Sequence, residues 1–355
     1  MTRKITTTLT IAVLLLVSQL SFAGATEDLW KALKAANDKD ALAAIAAGAD
    51  VNNIDASSST PLSLAACFSG GEVVKALIDG KANINYVQPS NGFTPLFNAA
   101  NWGNTEAIKL LLAAGADVKI KNKLGATLLS VAVMSVKLEI VKLLVEAGCD
   151  PAEVYKATGQ EWTALLMLTT AYPPVEKVKN IQANKAAITQ YGLTYPERLI
   201  NAKESDFTPL GEIAEYLLSK GANPSIAFPG WGSVLNRSID LGKLDIAKAL
   251  IAAKADLTVT MRYKGKVGGF NCTPLMLASL NGYNELVEMM CKAGADVNIV
   301  AKEMSVDDSY SVGTTSTTHY QTVTKKYNNA LSLALGNKKS ETADILKKYG
   351  AKEPK

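Results

Sequence analysis

The chain has 355 residues, with 37 basic and 33 acidic side chains, a single histidine and a formal net charge of +4. This near-balance lacks the concentrated basic face that nucleic-acid binding requires, so we expect no nucleic-acid partner. One histidine excludes multi-histidine metal centres and most catalytic arrangements that depend on histidine.

Residues 1–25 have the order of parts that is typical of a secretory signal peptide. Two basic residues come first, an apolar stretch over 11–17 follows, and cleavage fits equally well after Ala23 or Ala25. The apolar stretch is shorter than the roughly 20 residues of a membrane-spanning helix, although an uncleaved anchor is an alternative. We expect an exported mature chain without membrane insertion, in a bacterial periplasm or, alternatively, secreted.

A short motif, Gly-Ala-Asp or a close variant, returns along the mature chain with a spacing of 33 or 34 residues. The residue before the Ala-Asp or Ala-Asn pair, or its equivalent, is Gly48, Lys81, Gly115, Gly148, Gly221, Lys254, Gly294 or Gly350. Four of the seven steps equal one repeat, and the other three exceed it by about 40, 7 and 23 residues. A fixed period with discrete excesses predicts a solenoid with insertions.

Each repeat is predicted to contain two helices. Thr60, Thr94 and Thr273 stand before Pro-Leu, so the threonine caps the first helix and the proline takes its first position. A second amphipathic run, such as 106–112, ends at a residue like Gly115, which suits the left-handed conformation that closes a helix. Neither helix can bury its apolar face alone, so neighbouring repeats must stack.

These motifs resemble the ankyrin repeat, whose family pattern runs from Thr-Pro-Leu-His to Gly-Ala-Asp. The resemblance covers about 29–350 and implies an all-α solenoid of about eight stacked helix–turn–helix repeats with β-hairpin loops, two of them extended. The family's histidine is replaced by Ser63, Phe97, Ser130, Leu166, Asn236, Met276 and Ser332. We therefore expect its bond to the capping threonine to be lost. Lys81 and Lys254 take the helix-stop position, where a side chain at positive φ costs about 1 kcal/mol.

We therefore predict a signal peptide over 1–25 and, from the resemblance, an ankyrin-repeat domain over 26–355. The predicted repeats span 27–57, 58–91, 92–124, 125–158, 159–227 with an inserted segment 172–208, 228–258, 270–299 and 328–355, with extended hairpin loops over 257–271 and 299–327. The first and last repeats carry a polar outer side, as the capping repeats of a solenoid should.

The insertions set this solenoid apart from a plain array. Helical spacing over 178–191 predicts an extra helix in the first insertion, with neutral decoration as the alternative. Lys264-Gly265 lies between β-branched arms and predicts a hairpin, and the loop over 299–327 predicts a second one. Because the two hairpins belong to adjacent repeats, we expect them to form a small sheet that contacts a partner or, alternatively, covers the C-terminal stack.

Neither the cysteines nor the recurring aspartates suggest a catalytic or metal-binding site. Cys67, Cys149, Cys272 and Cys291 are predicted to be free thiols, and only the last two share a repeat and could pair. The recurring Asp50, Asp117, Asp150, Asp256 and Asp296 are predicted to be turn residues. We expect no catalytic residue, metal or cofactor. The alternatives are an enzyme or metal-binding protein with a site built by the insertions, or a self-associating structural protein of the envelope.

The functional hypothesis therefore rests on exposed residues of the surface. In the family, the two residues after the small alanine pair of each first helix face the concave groove. Mapped onto this chain they include large apolar residues that form an exposed strip, and the hairpins add aromatic and basic residues. The predicted partner-binding residues are Phe68, Trp102, Met134, Leu241, Arg262, Tyr263, Tyr310, His319 and Tyr320. We expect a monomeric, non-enzymatic scaffold that binds a protein partner in an accessory, protective or inhibitory role.

Overall fold

The computed structural model describes residues 23–157, 159–171, 203, 205, 208–228, 232–264, 269–301 and 329–353. The chain divides into two compact units, Met1–Thr208, here called the N-terminal unit, and Pro209–Lys355, the C-terminal unit. Both are built mainly from short helices of nine or so residues that alternate along the chain, as ankyrin-like repeats require.

The N-terminal unit contains nine helices and one short hairpin among its described residues. They are α1 (23–34), α2 (Asp38–Ala46), α3 (Pro61–Phe68), α4 (Gly71–Asp79), α5 (Pro95–Trp102), α6 (Thr105–Ala113), α7 (Leu128–Ala132), α8 (Leu138–Glu146), β1 (Tyr155–Ala157), β2 (Gln160–Trp162) and α9 (Ala164–Thr170). A 3₁₀ turn over Val133–Ser135 continues α7. The first helices α3, α5, α7 and α9 pack side by side, and so do the second helices α2, α4, α6 and α8.

The C-terminal unit repeats this arrangement. Its described elements are α10 (Leu210–Ser219), β3 (Ala227–Phe228), β4 (Gly232–Ser233), α11 (Val234–Asp240), α12 (Leu244–Ala252), β5 (Met261–Lys264), β6 (Gly269–Cys272), α13 (Pro274–Asn281), α14 (Asn284–Lys292), α15 (Ala330–Gly336) and α16 (Ser340–Lys348). Helix α13 packs between α11 and α15, and α10, α12, α14 and α16 form the second row. The core of each unit is the apolar layer between its two rows of helices.

First helices begin at the predicted capping residues. The hydroxyl of Thr60, Thr94 or Thr273 accepts the backbone N–H three residues later, and proline follows each threonine. The prediction that the residue at the family's histidine position no longer bonds to the capping residue is only partly right. Ser63 Oγ lies 2.9 Å from Thr60 Oγ1, and Asn236 forms a reciprocal capping box with the residue that caps α11. A short polar side chain at this position therefore still reaches the capping residue.

Second helices end at the predicted helix-stop residues, and all eight have positive φ. The prediction for the two lysines is confirmed, because φ is 67° at Lys81 and 61° at Lys254. In each copy the N–H of the stop residue and that of the next residue bond back to the last turn of the helix, as at Gly115 and Ala116. This Schellman-type closure fixes the left-handed conformation whichever residue occupies the position.

Replacing Lys81 or Lys254 by glycine is expected to stabilise the protein by up to about 1 kcal/mol, because glycine removes the left-handed strain at little steric cost. Both lysine side chains are exposed, so the substitution sacrifices little packing. Urea unfolding followed by circular dichroism would show a higher midpoint. The reverse change, Gly115→Lys, is the matched control and should lower the midpoint. A lower midpoint in both glycine variants would contradict the expectation.

The loops between repeats are joined by a ladder of side-chain bonds. The five recurring aspartates each accept a backbone N–H two residues later, which confirms that they are turn residues. Asn52 Oδ1 accepts the N–H of Asn83 at 2.7 Å across 31 residues. Asn298 Oδ1 accepts the N–H of Lys352 at 2.9 Å across 54 residues. The same bond thus joins the last repeat to the one before it, despite the predicted excess of about 23 residues.

Residues in front of second helices bind the preceding repeat. Asn104 Nδ2 donates to the carbonyls of Ala66 and Ser69 at 3.1 and 3.0 Å. Thr208, where the predicted inserted segment ends, donates its N–H to the carbonyl of Val136 at 2.8 Å, and its hydroxyl accepts the N–H of Leu138. Thr208 is therefore held against the turn that precedes α8.

The hairpin predicted around Lys264-Gly265 is present, since β5 pairs with β6 in antiparallel register. Two shorter hairpins, β1–β2 and β3–β4, are examples of the β-hairpin loops that the resemblance implies, although their positions were not predicted. The helix predicted over 178–191 and nearly all of the loop predicted over 299–327 lie outside the described residues.

Candidate partner-binding surface

An aromatic pair lies at the C-terminal ends of two neighbouring first helices of the N-terminal unit. Phe68 is the last residue of α3 and Trp102 the last residue of α5, so stacking of the two repeats brings these equivalent positions together. The ring centroids are 4.7 Å apart with an interplanar angle of 64°, the edge-to-face arrangement that aromatic rings prefer. The prediction that Phe68 is exposed is wrong, because its exposed fraction is only 7%. The half-buried Trp102 presents the pair to solvent.

The next repeat adds a sulfur to this surface. Met134 lies in the 3₁₀ turn that follows α7 and is half-buried. The hydroxyl of Thr170, the last residue of α9, lies 3.6 Å from its Sδ atom. Two successive first helices of the N-terminal unit therefore end in aromatic side chains, the 3₁₀ turn after the third adds Met134, and the fourth ends in a threonine that contacts this methionine. Methionine adapts its shape to a partner more easily than branched residues do.

The predicted residues of the C-terminal unit are only partly described. Leu241 follows α11 and is half-buried. Arg262 is exposed on β5, and the backbone of Tyr263 pairs with that of Phe270 on β6. Tyr310, His319 and Tyr320 lie outside the described residues, so the predicted sheet of two neighbouring hairpins stays a prediction.

The C-terminal unit also carries a charged group that the sequence pattern did not predict. Arg237 Nη1 lies 3.3 Å from Asp240 Oδ2, one helical turn away on α11, and both side chains are mostly buried. Burial raises the pKa of Asp240, and the guanidinium partly offsets that rise. Burial followed by the charge of Asp240 also raises the pKa of Cys272 and of Tyr283. The one signal in the sequence is an arginine directly after the family's histidine position, where most other repeats have an apolar residue.

All four cysteines are free thiols, as predicted, so Cys272 and Cys291 do not pair. Burial raises the pKa of Cys149 to about 12 and that of Cys291 to about 11, with a nearby glutamate adding to each rise. A protonated thiol is a poor nucleophile and a poor metal ligand. These cysteines therefore act as small packing residues.

A second apolar surface, also not predicted from the sequence, runs along the loops of the N-terminal unit. Ile54, Val87 and Val154 are exposed, and each stands six residues after a helix-stop residue. Lys121 takes the same position in the loop between Val87 and Val154. We call Ile54, Val87, Lys121 and Val154 the loop row. The signal that the sequence contains for it is the shared offset from the helix-stop motif.

The comparison with protein-family models decides the family. A model described as ankyrin repeats in three copies matches residues 29–122, 62–155, 103–184 and 202–301, which together make up well over half of the chain. The chain belongs to the ankyrin-repeat family. Such repeats are generally protein–protein interaction modules, and the stacked helix pairs and glycine-type stops described above are the structural form of that motif.

Individual ankyrin relatives match only part of the chain. A human 2-5A-dependent ribonuclease is 39% identical over 69 residues, 19% of this chain and 9% of the relative. The rat ankyrin repeat and SAM domain-containing protein 6 is 34% identical over 96 residues, 26% of this chain and 11% of the relative. An ankyrin repeat protein of Acanthamoeba polyphaga mimivirus is 36% identical over 83 residues, 22% of this chain and 51% of the relative. The chain thus spans a tenth to a half of the length of these relatives.

The described ankyrin repeats show no sign of a catalytic or metal-binding site. No catalytic domain is evident in the regions that align with the relatives, although one of them is named a ribonuclease. In the described part of the chain, no group of three or more histidine, cysteine, aspartate or glutamate side chains is placed to hold a metal ion. Among those same residues, no helix has the length and apolar character needed to cross a bilayer.

Proposed function

We propose that this protein is a non-enzymatic, monomeric scaffold of eight ankyrin repeats, exported through residues 1–25 to a bacterial periplasm, where it binds a protein partner in an accessory, protective or inhibitory role. The observation that carries the proposal is the Phe68–Trp102 pair, with Met134 on the following repeat. Tryptophan and tyrosine are frequent hot spots of protein interfaces, where a few residues supply most of the binding energy.

The aromatic pair is organised before any partner binds. Phe68 supports one edge of Trp102, and each ring sits at the end of a helix that is closed by capping bonds at its start. A rigid anchor loses little side-chain freedom on binding, so more of its contact energy appears as affinity. Leu241 and the exposed Arg262 supply further contacts from the C-terminal unit in this proposal, together with the predicted residues 310, 319 and 320.

Export is supported by the order of basic, apolar and small residues over 1–25. The state of the thiols is compatible with an oxidising compartment, where exposed cysteines form disulfides. Cys67, Cys272 and Cys291 are buried, and burial raises the pKa of the last two above that of an ordinary thiol. Buried, protonated thiols react slowly with oxidants.

The proposal is tested by expression of the full chain with its leader in a bacterial host, followed by fractionation and N-terminal sequencing of the product. The periplasmic protein then serves as bait for envelope extracts, beside a Trp102→Ala bait as the matched control. A partner that uses the groove should be retained by the first bait and depleted from the second. Recovery of the chain in the cytoplasm would refute the export, and identical capture by both baits would refute the binding surface.

A further inference from the structure

The chain contains a fourth Thr-Pro-Leu motif, Thr208-Pro209-Leu210, which stands before a second helix rather than a first one. At the other three copies of the motif the threonine hydroxyl caps the helix that follows it. Helix α10, which follows Thr208, begins without a side-chain cap. The hydroxyl of Thr208 instead accepts the N–H of Leu138 at 3.0 Å, across 70 residues. This threonine therefore serves a helix other than its own.

Thr208 binds the start of α8 on both sides of Lys137. Its N–H donates to the carbonyl of Val136 at 2.8 Å, while its hydroxyl accepts from Leu138, the first residue of α8. The first N–H groups of a helix have no partner within the helix and need a cap. In the preceding repeat, Asn104 supplies that cap from its own side chain. The ammonium group of Lys137 has no acceptor atom, so the cap of α8 comes from Thr208.

The turn that Thr208 binds has an unusual backbone. Val136 has φ 58° and is fully buried, and it is the one β-branched residue with positive φ in the part of the chain that the structure describes. Other repeats have glycine at this position, as at Gly103 and Gly282, where the left-handed conformation carries no steric cost. A β-branched residue keeps this conformation only when its surroundings impose it. The bonds that Thr208 makes on either side of the next residue supply such a constraint.

The same turn carries Met134, a residue of the proposed partner surface. Met134 lies two residues before Val136, in the 3₁₀ turn that follows α7. Both borders of the predicted inserted segment 172–208 contact this part of the chain. Thr170, just before the segment, has its hydroxyl 3.6 Å from Met134 Sδ, and Thr208 ends the segment with its bonds to the turn. The borders of the insertion therefore fix the backbone on which Met134 stands.

We infer that Thr208 is a positioning residue for Met134: it holds the turn over 133–138 in its left-handed form and thereby presets the methionine for the partner. What concerns the partner rests on the proposed function. Methionine has three rotatable bonds and adapts its shape readily. Its contact energy appears as affinity only to the extent that its position is fixed before binding. Thr208 provides that order through the turn, without a contact of its own to the partner.

The first test uses the full mature chain and needs no partner. Thr208→Val keeps the shape of the side chain but removes the acceptor, whereas Thr208→Ser keeps the hydroxyl. Hydrogen exchange at the Leu138 amide should become about fivefold faster in the valine variant, the effect of one lost helix cap, and stay near the wild-type rate in the serine variant. The methyl resonance of Met134, assigned with Met134→Leu, should shift in the valine variant and return in the serine variant.

Asn37→Ala is the matched control for this test. It removes the side-chain cap of α2, a second helix of the same unit, and its amide bonds within its own turn. The exchange of Leu138 and the resonance of Met134 should both be unchanged in this variant. An unmoved Met134 resonance in Thr208→Val would overturn the inference. An equal shift in Asn37→Ala would do the same, because it would reveal a general loosening of the unit.

The second test measures the affinity of a captured partner. Thr208→Val should lower it by about threefold, and Met134→Ala by at least as much. The double variant should lose no more than Met134→Ala alone, because Thr208 acts through Met134. Fully additive losses, or no loss from Thr208→Val with a partner that depends on Trp102, would overturn the inference. The failures are separable: a partner unaffected by Trp102→Ala would refute the proposed function, while a Met134 resonance that follows the Thr208 hydroxyl would still establish the positioning role.

Discussion

Replacement of Asn104 by alanine is expected to lower the free energy of unfolding by about 3 kcal/mol, a large effect for one polar side chain. Asn104 is 5% exposed and makes three bonds. Its Nδ2 donates to the carbonyls of Ala66 and Ser69 in the preceding repeat, and its Oδ1 accepts the N–H of Ala107 at the start of α6. Alanine removes a helix cap and leaves two buried carbonyls without these donors.

The matched control for this prediction is Asn37→Ala. Asn37 also caps a second helix, α2, by accepting the N–H of Asp40, but it is exposed and its amide bonds only within its own turn. Its loss should cost about 1 kcal/mol, the ordinary value of a helix cap. Chemical denaturation of both variants measures the difference. Equal losses would show that the bridge from Asn104 to the preceding repeat contributes nothing beyond capping.

Features that depend on one repeat could be predicted from the sequence. The left-handed backbone at Lys81 and Lys254 follows from the local closure of a helix, which requires positive φ whatever the residue. The bonds of Asp50 and its counterparts follow equally from the preference of aspartate for its own turn. Such features need no knowledge of the neighbouring repeat, so a single copy of the motif is enough to predict them.

Features that depend on contacts between repeats were missed or misjudged. The mapping placed Phe68 and Trp102 on one surface, but which ring covers the other depends on the offset between α3 and α5. The bridge from Asn104 requires the distance between two stacked turns, which its own repeat does not contain. One misjudged feature lies within a single repeat, because the hydroxyl of Ser63 reaches Thr60 without the length of a histidine. The loop row belongs to the same class, since its regularity exists only when successive loops are aligned.

Replacement of Trp102 by alanine is expected to lower the affinity for the captured partner by about thirtyfold, equivalent to about 2 kcal/mol of binding free energy. The substitution removes the ring that faces solvent and also exposes the edge of Phe68. The partner therefore loses a complementary surface and a contact that is formed before binding. Calorimetric titration of the purified partner measures the change. Trp102→Phe, which preserves an aromatic ring beside Phe68, should recover part of the affinity.

The control for this prediction is Trp30→Ala, which removes another half-buried tryptophan from the same unit. Trp30 lies on α1, and its Nε1 donates to Asn53 Oδ1 at 2.9 Å, away from the first-helix ends that form the aromatic pair. Both alanine variants lose similar aromatic area, so a general loosening of the solenoid would weaken binding in each. A loss confined to Trp102→Ala would place the partner on the aromatic pair. Equal losses, or none, would remove that pair from the interface and with it the observation on which the proposed function depends.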